Sequence, residues 1–256
     1  MIVKKLVTLF IFVFILCLKT SYAGEGIYLA YNSREGDVSS YQMTALAENK
    51  LKDVGKFTSE QTVNWDQKVI KVKGDIITAK IVITYSQGIM RSEDIQEKEV
   101  PIDMGSLKEG DEYFIKFRKN GEVVESNQEA LEESILNQLI FPKTKLKIGD
   151  SWNLGNYTTC KLIDFVKYKG YDCAKIEVKS IPGKLEIPGL LKEVPSLQSQ
   201  DFTMHSTDGI VYFAYKEGKM VESKTKSILN IEQIWKEEGK VSTASIMETI
   251  VELVEK

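Results

Sequence analysis

One histidine, His205, and three cysteines, Cys17, Cys160 and Cys173, stand in this chain beside 37 acidic and 34 basic residues. Acid–base or nucleophilic catalysis through imidazole would rest on His205 alone, in Asp201-Phe202-Thr203-Met204-His205-Ser206-Thr207-Asp208, with no second candidate ligand or base beside it. There is no G-x-S-x-G elbow, no H-E-x-x-H helix and no G-x-x-x-x-G-K loop. One histidine and two widely spaced cysteines do not make an ordinary zinc site. Carboxylates remain in number, and a glycosidase pair would be sought at Asp201 or Asp208. Nothing in the spacing selects a pair, and Gln96-Glu97-Lys98-Glu99 reads as solvated surface. The expectation is a protein without catalytic residues, metal or cofactor.

The two cysteines at 160 and 173 raise redox chemistry next. Val166 to Cys173 reads as a hairpin with a two-residue turn at Lys169-Gly170, which sets Cys173 opposite Val166. Cys160 then falls roughly 20 Å away at about 3.3 Å per residue, whereas bridged Cα atoms lie within about 7 Å. Two buried, unbridged thiols are expected.

Where this chemistry would act follows from the N-terminus. Lys4 and Lys5 precede an apolar run from Leu6 to Leu18, and Ser21-Tyr22-Ala23 offers a small-x-small cleavage site. The run is shorter than the about 20 residues a membrane-spanning helix needs. Residues 1–23 are therefore expected to be a signal peptide, with an uncleaved anchor as the alternative, and the protein to be periplasmic or extracellular. Leu16 before Cys17 argues against lipid attachment. Three lysines leave with the segment, taking the formal charge from −3 to −6. An acidic chain is not built to bind nucleic acid, and the cluster Lys143, Lys145, Lys147 reads as a solvated face.

The elements that position any site are mostly strands. Ile77, Ala79, Ile81, Ile83 and Tyr85 share one face of a period-2 segment; Val63, Trp65 and Val69 share another, and Tyr41, Met43, Ala45 and Ala47 a third. Lys73-Gly74-Asp75 makes a turn between two of them. Two hairpins echo each other: Tyr113–Ser126 around Lys119-Asn120-Gly121, and Ile210–Ser223 around Lys216-Glu217-Gly218. They are compatible with duplication of a half or with convergence of hairpin sequences. Ser126 and Glu129 have capping-box spacing, and Leu131, Ile135, Leu136, Leu139 and Ile140 form a stripe ending before Pro142, so a helix over 127–141 is predicted to cover the sheet. The halves are then 24–141 and 142–256. Between Ile181 and Leu197, Pro182, Pro188 and Pro195 accompany seven aliphatic side chains. Such a stretch is a loop folded over the core, or a lid or docking segment. The tryptophans Trp65, Trp152 and Trp235 are read as core rather than sugar platforms.

Phe141-Pro142, Gly149-Asp150-Ser151-Trp152, Lys161-Leu162-Ile163-Asp164-Phe165 and Gly170-Tyr171-Asp172-Cys173-Ala174-Lys175-Ile176 resemble a group of uncharacterised exported bacterial β-rich proteins, over residues 141–180. In architecture, the meander with a covering helix is similar to periplasmic lipoprotein-carrier folds, whose unclosed β-barrel holds acyl chains; that resemblance implies an apolar ligand and is one of fold alone. The expected fold is mainly β, a curved antiparallel meander or unclosed barrel with one or two covering helices, as one sheet or two related halves. A non-enzymatic protein holding a lipid or other apolar small molecule is the expected function, with Trp65, Ile81, Ile83 and Tyr113 lining the concavity and Leu190 and Leu191 as its lid. The alternative is a module that docks another cell-envelope protein through sheet edges or the proline-rich loop. Peripheral membrane contact stays open.

Overall fold

The computed structural model describes residues 26–51, 55–92, 99–102, 104, 107–127, 139–155, 158–180, 182–185, 197–235 and 239–254. Among the described residues thirteen strands form one antiparallel sheet. They are β1 (Val38–Leu51), β2 (Gly55–Lys73), β3 (Ile76–Ser92), β4 (Val100–Pro101), β5 (Glu112–Arg118), β6 (Val123–Ser126), β7 (Ser151–Leu154), β8 (Thr158–Tyr168), β9 (Tyr171–Ser180), β10 (Gly183–Leu185), β11 (Leu197–Ala214), β12 (Lys219–Trp235) and β13 (Gly239–Val254). The order is β6-β5-β3-β2-β1-β13-β12-β11-β9-β8-β7, with β4 beside β3 and β10 beside β11. First and last strands meet at the centre, from Ser40↔Val254 to Leu51↔Thr243, and β6 and β7 leave the sheet unclosed. The curved, open antiparallel meander expected from the alternation is what forms.

Curvature is forced by packing. Six strand spacings separate β5 from β11, about 29 Å along a flat sheet at roughly 4.8 Å each. Yet the Tyr31 ring lies 5.6 Å from Phe117 of β5 and 5.2 Å from Phe213 of β11. The sheet must wrap around Tyr31. Phe141 completes the hub, 4.7 Å from Phe213 and 5.8 Å from Tyr31. Backbone bonds hold the two irregular segments that carry these rings: Ile27 N–H to Leu146 O at 2.8 Å, Tyr31 N–H to Lys119 O at 2.7 Å and Phe141 N–H to Asn120 O at 2.7 Å.

No helix occurs among the described residues. The helix expected over 127–141 falls mainly on residues outside them, and its described ends, Asn127 and 139–141, are not helical. What fills the concave side among the described residues is irregular chain, 27–31 and 139–146, contributing Leu29, Tyr31, Leu139, Phe141 and Leu146 to the core. The Gly149-Asp150-Ser151-Trp152 motif serves this packing. Gly149 at φ +96° donates to Leu162 O, the Asp150 carboxylate accepts from Lys147 N–H at 2.8 Å, and the Trp152 indole donates to Ile140 O at 2.8 Å.

Alternation holds closely on the inner face: Val63, Trp65, Val69, Ile77, Ala79, Ile81 and Ile83 are all buried. Tyr85 departs from it. Trp65 pairs with Ile83 but Asn64 with Tyr85, so the β3 strand carries a bulge at Thr84. The extra residue turns Tyr85 to the outer face, where it is exposed and meets Gln87. Of the proline-rich stretch, Gly183–Leu185 forms the short strand beside β11, and 186–196 lie outside the described residues.

The β8–β9 hairpin has the expected register, Val166↔Cys173, with Lys169 at φ 45° and Gly170 at φ 84° forming the turn. Cys160 belongs to the main core, whereas Cys173 packs with Ala214 and Val221 in a second cluster. Burial pushes the Cys160 thiol up to about 12 and, as the leading cause, that of Cys173 up to about 11.

Beside that second cluster Tyr168 stacks on Tyr212, centroids 3.8 Å apart. The Tyr168 hydroxyl donates to Glu222 at 2.8 Å, and Lys169 and Lys224 pair with the same carboxylate at 3.0 and 3.1 Å. Burial alone would raise the Glu222 pKa, but the bonds from Lys169, Tyr168 and Lys224 outweigh it and hold the group below its ordinary 4.5. Glu222→Gln should therefore cost about 1.5–3 kcal/mol at neutral pH, the worth of hydrogen bonds to a charged group. Because the folded pKa is depressed, this stabilisation is full above the unfolded carboxylate pKa and fades as pH falls through the lower folded value. Urea denaturation at pH 7 and pH 3 checks it: the gap between wild type and variant should narrow in acid, and an equal gap at both would contradict the assignment.

Candidate functional site

The inner face changes character along the long strands. Around Tyr41, Trp65, Ile83 and Val251 it is apolar and packed, but further along β1, β2, β12 and β13 the inward positions mix Ala45, Ala47, Ser59, Gln61, Thr225, Ser227, Ser245 and Thr249 with the apolar Phe57, Leu229, Ile231 and Met247. Hydroxyls there are paired where neighbours allow, as in Thr207 with Ser227 at 2.9 Å. The far part of the inner face is therefore mixed, with apolar side chains set among small and hydroxyl-bearing ones.

A cavity of about 450 Å³ opens at the core end. Its floor is aromatic and the rest of its lining mostly polar: Tyr41 of β1 and Trp65 of β2, 7% and 2% exposed, stand opposite each other in register and stack at 5.4 Å and 25°, with Tyr31, Val69 and Met220 beside them and Asn32, Ser33, Ser39 and Gln67 around them. Strand period 2 puts the Tyr41 and Trp65 side chains on the inner face, and the β1–β2 register makes them neighbours. Burial pushes the Tyr41 phenol up to about 12, so it stays neutral.

The rim comes from two turns. One is Arg34-Glu35-Gly36-Asp37, with Gly36 at φ +89°. It is fixed to β2 by Gly36 N–H to Val69 O and Val69 N–H to Asp37 O, both 2.9 Å, and by Val72 N–H to the Glu35 carboxylate at 2.9 Å. The Asp37 carboxylate accepts from the Arg34 N–H at 2.6 Å. The other is the β11–β12 turn, which brings Lys216, Glu217, Gly218 and Lys219 to the rim. Lys216 pairs with Asp172 at 2.5 Å, and Lys219 lies 4.7 Å over the Tyr171 ring. Arg34 makes no ion pair among the described residues. An aromatic floor with a polar, partly cationic rim can hold an amphiphile, apolar part inward and polar head outward.

Of the residues the sequence singled out, Trp65 borders this cavity. Ile81, Ile83 and Tyr113 do not line it and lie in the packed core beside it, as deeply buried as Trp65 itself, at 1%, 1% and 6% exposure against 2%. Leu190 and Leu191 lie outside the described residues. Sequence alone does not point to Tyr31, Arg34, Met220 or Lys219; the segment bearing Tyr31 and Arg34 has no strand or helix period, and the Lys216-Glu217-Gly218 turn reads only as a hairpin. His205 is exposed at an irregularity in β11 between Met204 and Ser206. Asp201 and Asp208 sit opposite Glu232 and Lys226 rather than each other. Among the described residues no group of three or more histidines, cysteines and carboxylates could hold a metal, and no helix is long and apolar enough to cross a membrane.

No known protein family and no curated protein matches the chain. Among solved structures it is similar to lipovitellin, from a study of its lipid–protein interactions, with a TM-score of 0.48 and 12% identity over 87% of this chain. The chain spans about a quarter of that protein's length, 25%. DynF from the dynemicin biosynthesis pathway of Micromonospora chersina follows at TM-score 0.27 and 6% identity, covering 91% of this chain and 88% of that one. An outer membrane channel from Pseudomonas putida F1 gives 0.23 and 8%, covering 91% and 98%. These scores are too low to carry a function across.

Proposed function

We propose that this chain is an exported, non-enzymatic binding protein for a lipid-like amphiphile, held in the cavity between the Tyr41–Trp65 floor and the two turns. The observation that carries the reading is the cavity itself: about 450 Å³ of space, within the roughly 300–1,000 Å³ typical of small-molecule sites, floored by the stacked Tyr41 and Trp65 rings and otherwise lined mostly by polar side chains. Its size suits one alkyl chain rather than two. Rigid aromatic walls bind apolar matter with little loss of side-chain freedom.

A second reading, an envelope docking module, has one observation behind it. The outer face exposes Leu46, Ile228, Ile246 and Ile250 on adjacent strands β1, β12 and β13, with Ile228 directly opposite Ile246. One experiment separates the two. The full chain, purified from its own compartment, is analysed by native mass spectrometry and titrated with 1-dodecanol, alongside Gln67→Trp, which fills the cavity from its lining. The amphiphile reading expects a bound single-chain species or saturable dodecanol binding in the wild type, lost in the variant. No bound species and no saturable binding would overturn it in favour of docking.

A further inference from the structure

Resting on the amphiphile reading, we propose that the ligand is a single-chain amphiphile with an anionic head, and that Arg34 is its anchor. The charges around the rim point this way once their existing partners are assigned. Asp37 and Glu35 already accept backbone N–H groups of Arg34 and Val72. Lys216 is paired with Asp172, and Lys219 with the Tyr171 hydroxyl at 3.2 Å and its ring. The Arg34 guanidinium remains without an ion pair among the described residues, on a turn bonded to β2 through its backbone at Val69 and through the Glu35 carboxylate at Val72. An arginine so placed presents a planar fork that matches the paired oxygens of a carboxylate or phosphate. The floor below takes the alkyl chain, so head and tail are both provided for along one axis.

Glu217 and Asp37 are the opposing charges on the rim, Asp37 held by the Arg34 backbone N–H, and no ion pair joins Glu217 to Arg34. Glu217 repels an anion that Arg34 attracts. The two residues therefore act in opposite directions on an acidic ligand and leave a neutral one of the same length alone. Charge complementarity of this kind selects the head group more than it adds affinity for the chain.

The test measures binding of dodecanoate, dodecyl phosphate and 1-dodecanol, below their micellar concentrations, to the full chain and to Arg34→Gln, Arg34→Lys and Glu217→Gln. The anions should bind about tenfold more tightly than the alcohol, the scale of one charge-assisted hydrogen bond. Arg34→Gln should remove that advantage, Arg34→Lys should restore part of it and Glu217→Gln should increase it, all without effect on dodecanol. Stronger gain for the phosphate over the carboxylate, or the reverse, identifies the head. If dodecanol and the anions bind alike and Arg34→Gln changes neither, the anchor is wrong while the cavity reading stands. If Arg34→Gln weakens acid and alcohol equally, Arg34 acts through shape and the proposal is overturned. If none of the three binds the wild type, the underlying amphiphile reading fails. Arg34 is exposed, so unchanged thermal melts of its variants are expected and separate binding loss from misfolding.

Discussion

Phe213→Ala should lower folding stability by about 3–5 kcal/mol, the range for deleting a buried phenylalanine ring. Phe213 is fully buried and touches both rings that come from irregular chain, Tyr31 and Phe141. It therefore ties β11 to the two segments that fill the concave side, and through Tyr31 to Phe117 on the far arm of the sheet. Collapse cannot readily fill the gap, because each neighbouring ring is held by backbone bonds of its own segment: Tyr31 N–H to Lys119 O and Phe141 N–H to Asn120 O. For a chain of this size roughly 2–4 °C of Tm accompanies each kcal/mol, so calorimetry should show a drop of about 6–20 °C. Tyr31→Phe is the informative contrast. It keeps the ring contacts and removes the hydroxyl, whose bond to Leu139 O at 3.3 Å is worth about 0.5–1.5 kcal/mol. Equal losses in the two variants would mean that the hub is held by polar bonding rather than by packing.

How far the sequence announces this architecture depends on the range of the interactions involved. Period-2 patterns and turn residues are local, and they placed β2, β3, the Lys169-Gly170 hairpin and the Val166↔Cys173 pairing correctly. The Thr84 bulge is equally local in position but not in cause: it belongs to the register between β2 and β3, and alternation by itself carries Tyr85 onto the wrong face. The central pairing of β1 with β13 joins the two ends of the described chain, a contact that no short window encodes. The cavity depends on that pairing at one remove. Tyr41 and Trp65 each read as inward-facing, but their stacking needs the β1–β2 register, and the rim needs β12 to lie two strands from β1. Arg34 sits in chain with no period at all, where a turn is legible from Gly36 yet its docking partner, Val69, is not. Ile81, Ile83 and Tyr113 show the converse limit: alternation identifies inward positions but does not say which of them face packed core and which face open space.

Gly218→Ala should damage stability and ligand binding together, and more than its local conformation explains. Gly218 adopts φ +66°, and an added Cβ would overlap Asn32 N and come within 2.8 Å of Ala30 O. A non-glycine residue in the left-handed region costs about 1–2 kcal/mol by itself. Displacing the backbone at Ala30–Asn32 should add about 1–3 kcal/mol, as in overpacked cores. Gly170→Ala separates the two contributions, since Gly170 is at φ +84° with nothing within 4 Å of the added atom; it should show the conformational cost alone. Asn32 and Gly218 both border the cavity, so the shift that relieves the overlap also moves the rim and, with it, the turn carrying Arg34. Urea denaturation and dodecanoate titration of both variants decide the matter. The expected pattern is a larger stability loss and weakened binding in Gly218→Ala, with Gly170→Ala binding as the wild type does. Matching stability losses would show that the 30–32 segment yields freely to the turn, and the rim would then be a soft boundary rather than a fixed one.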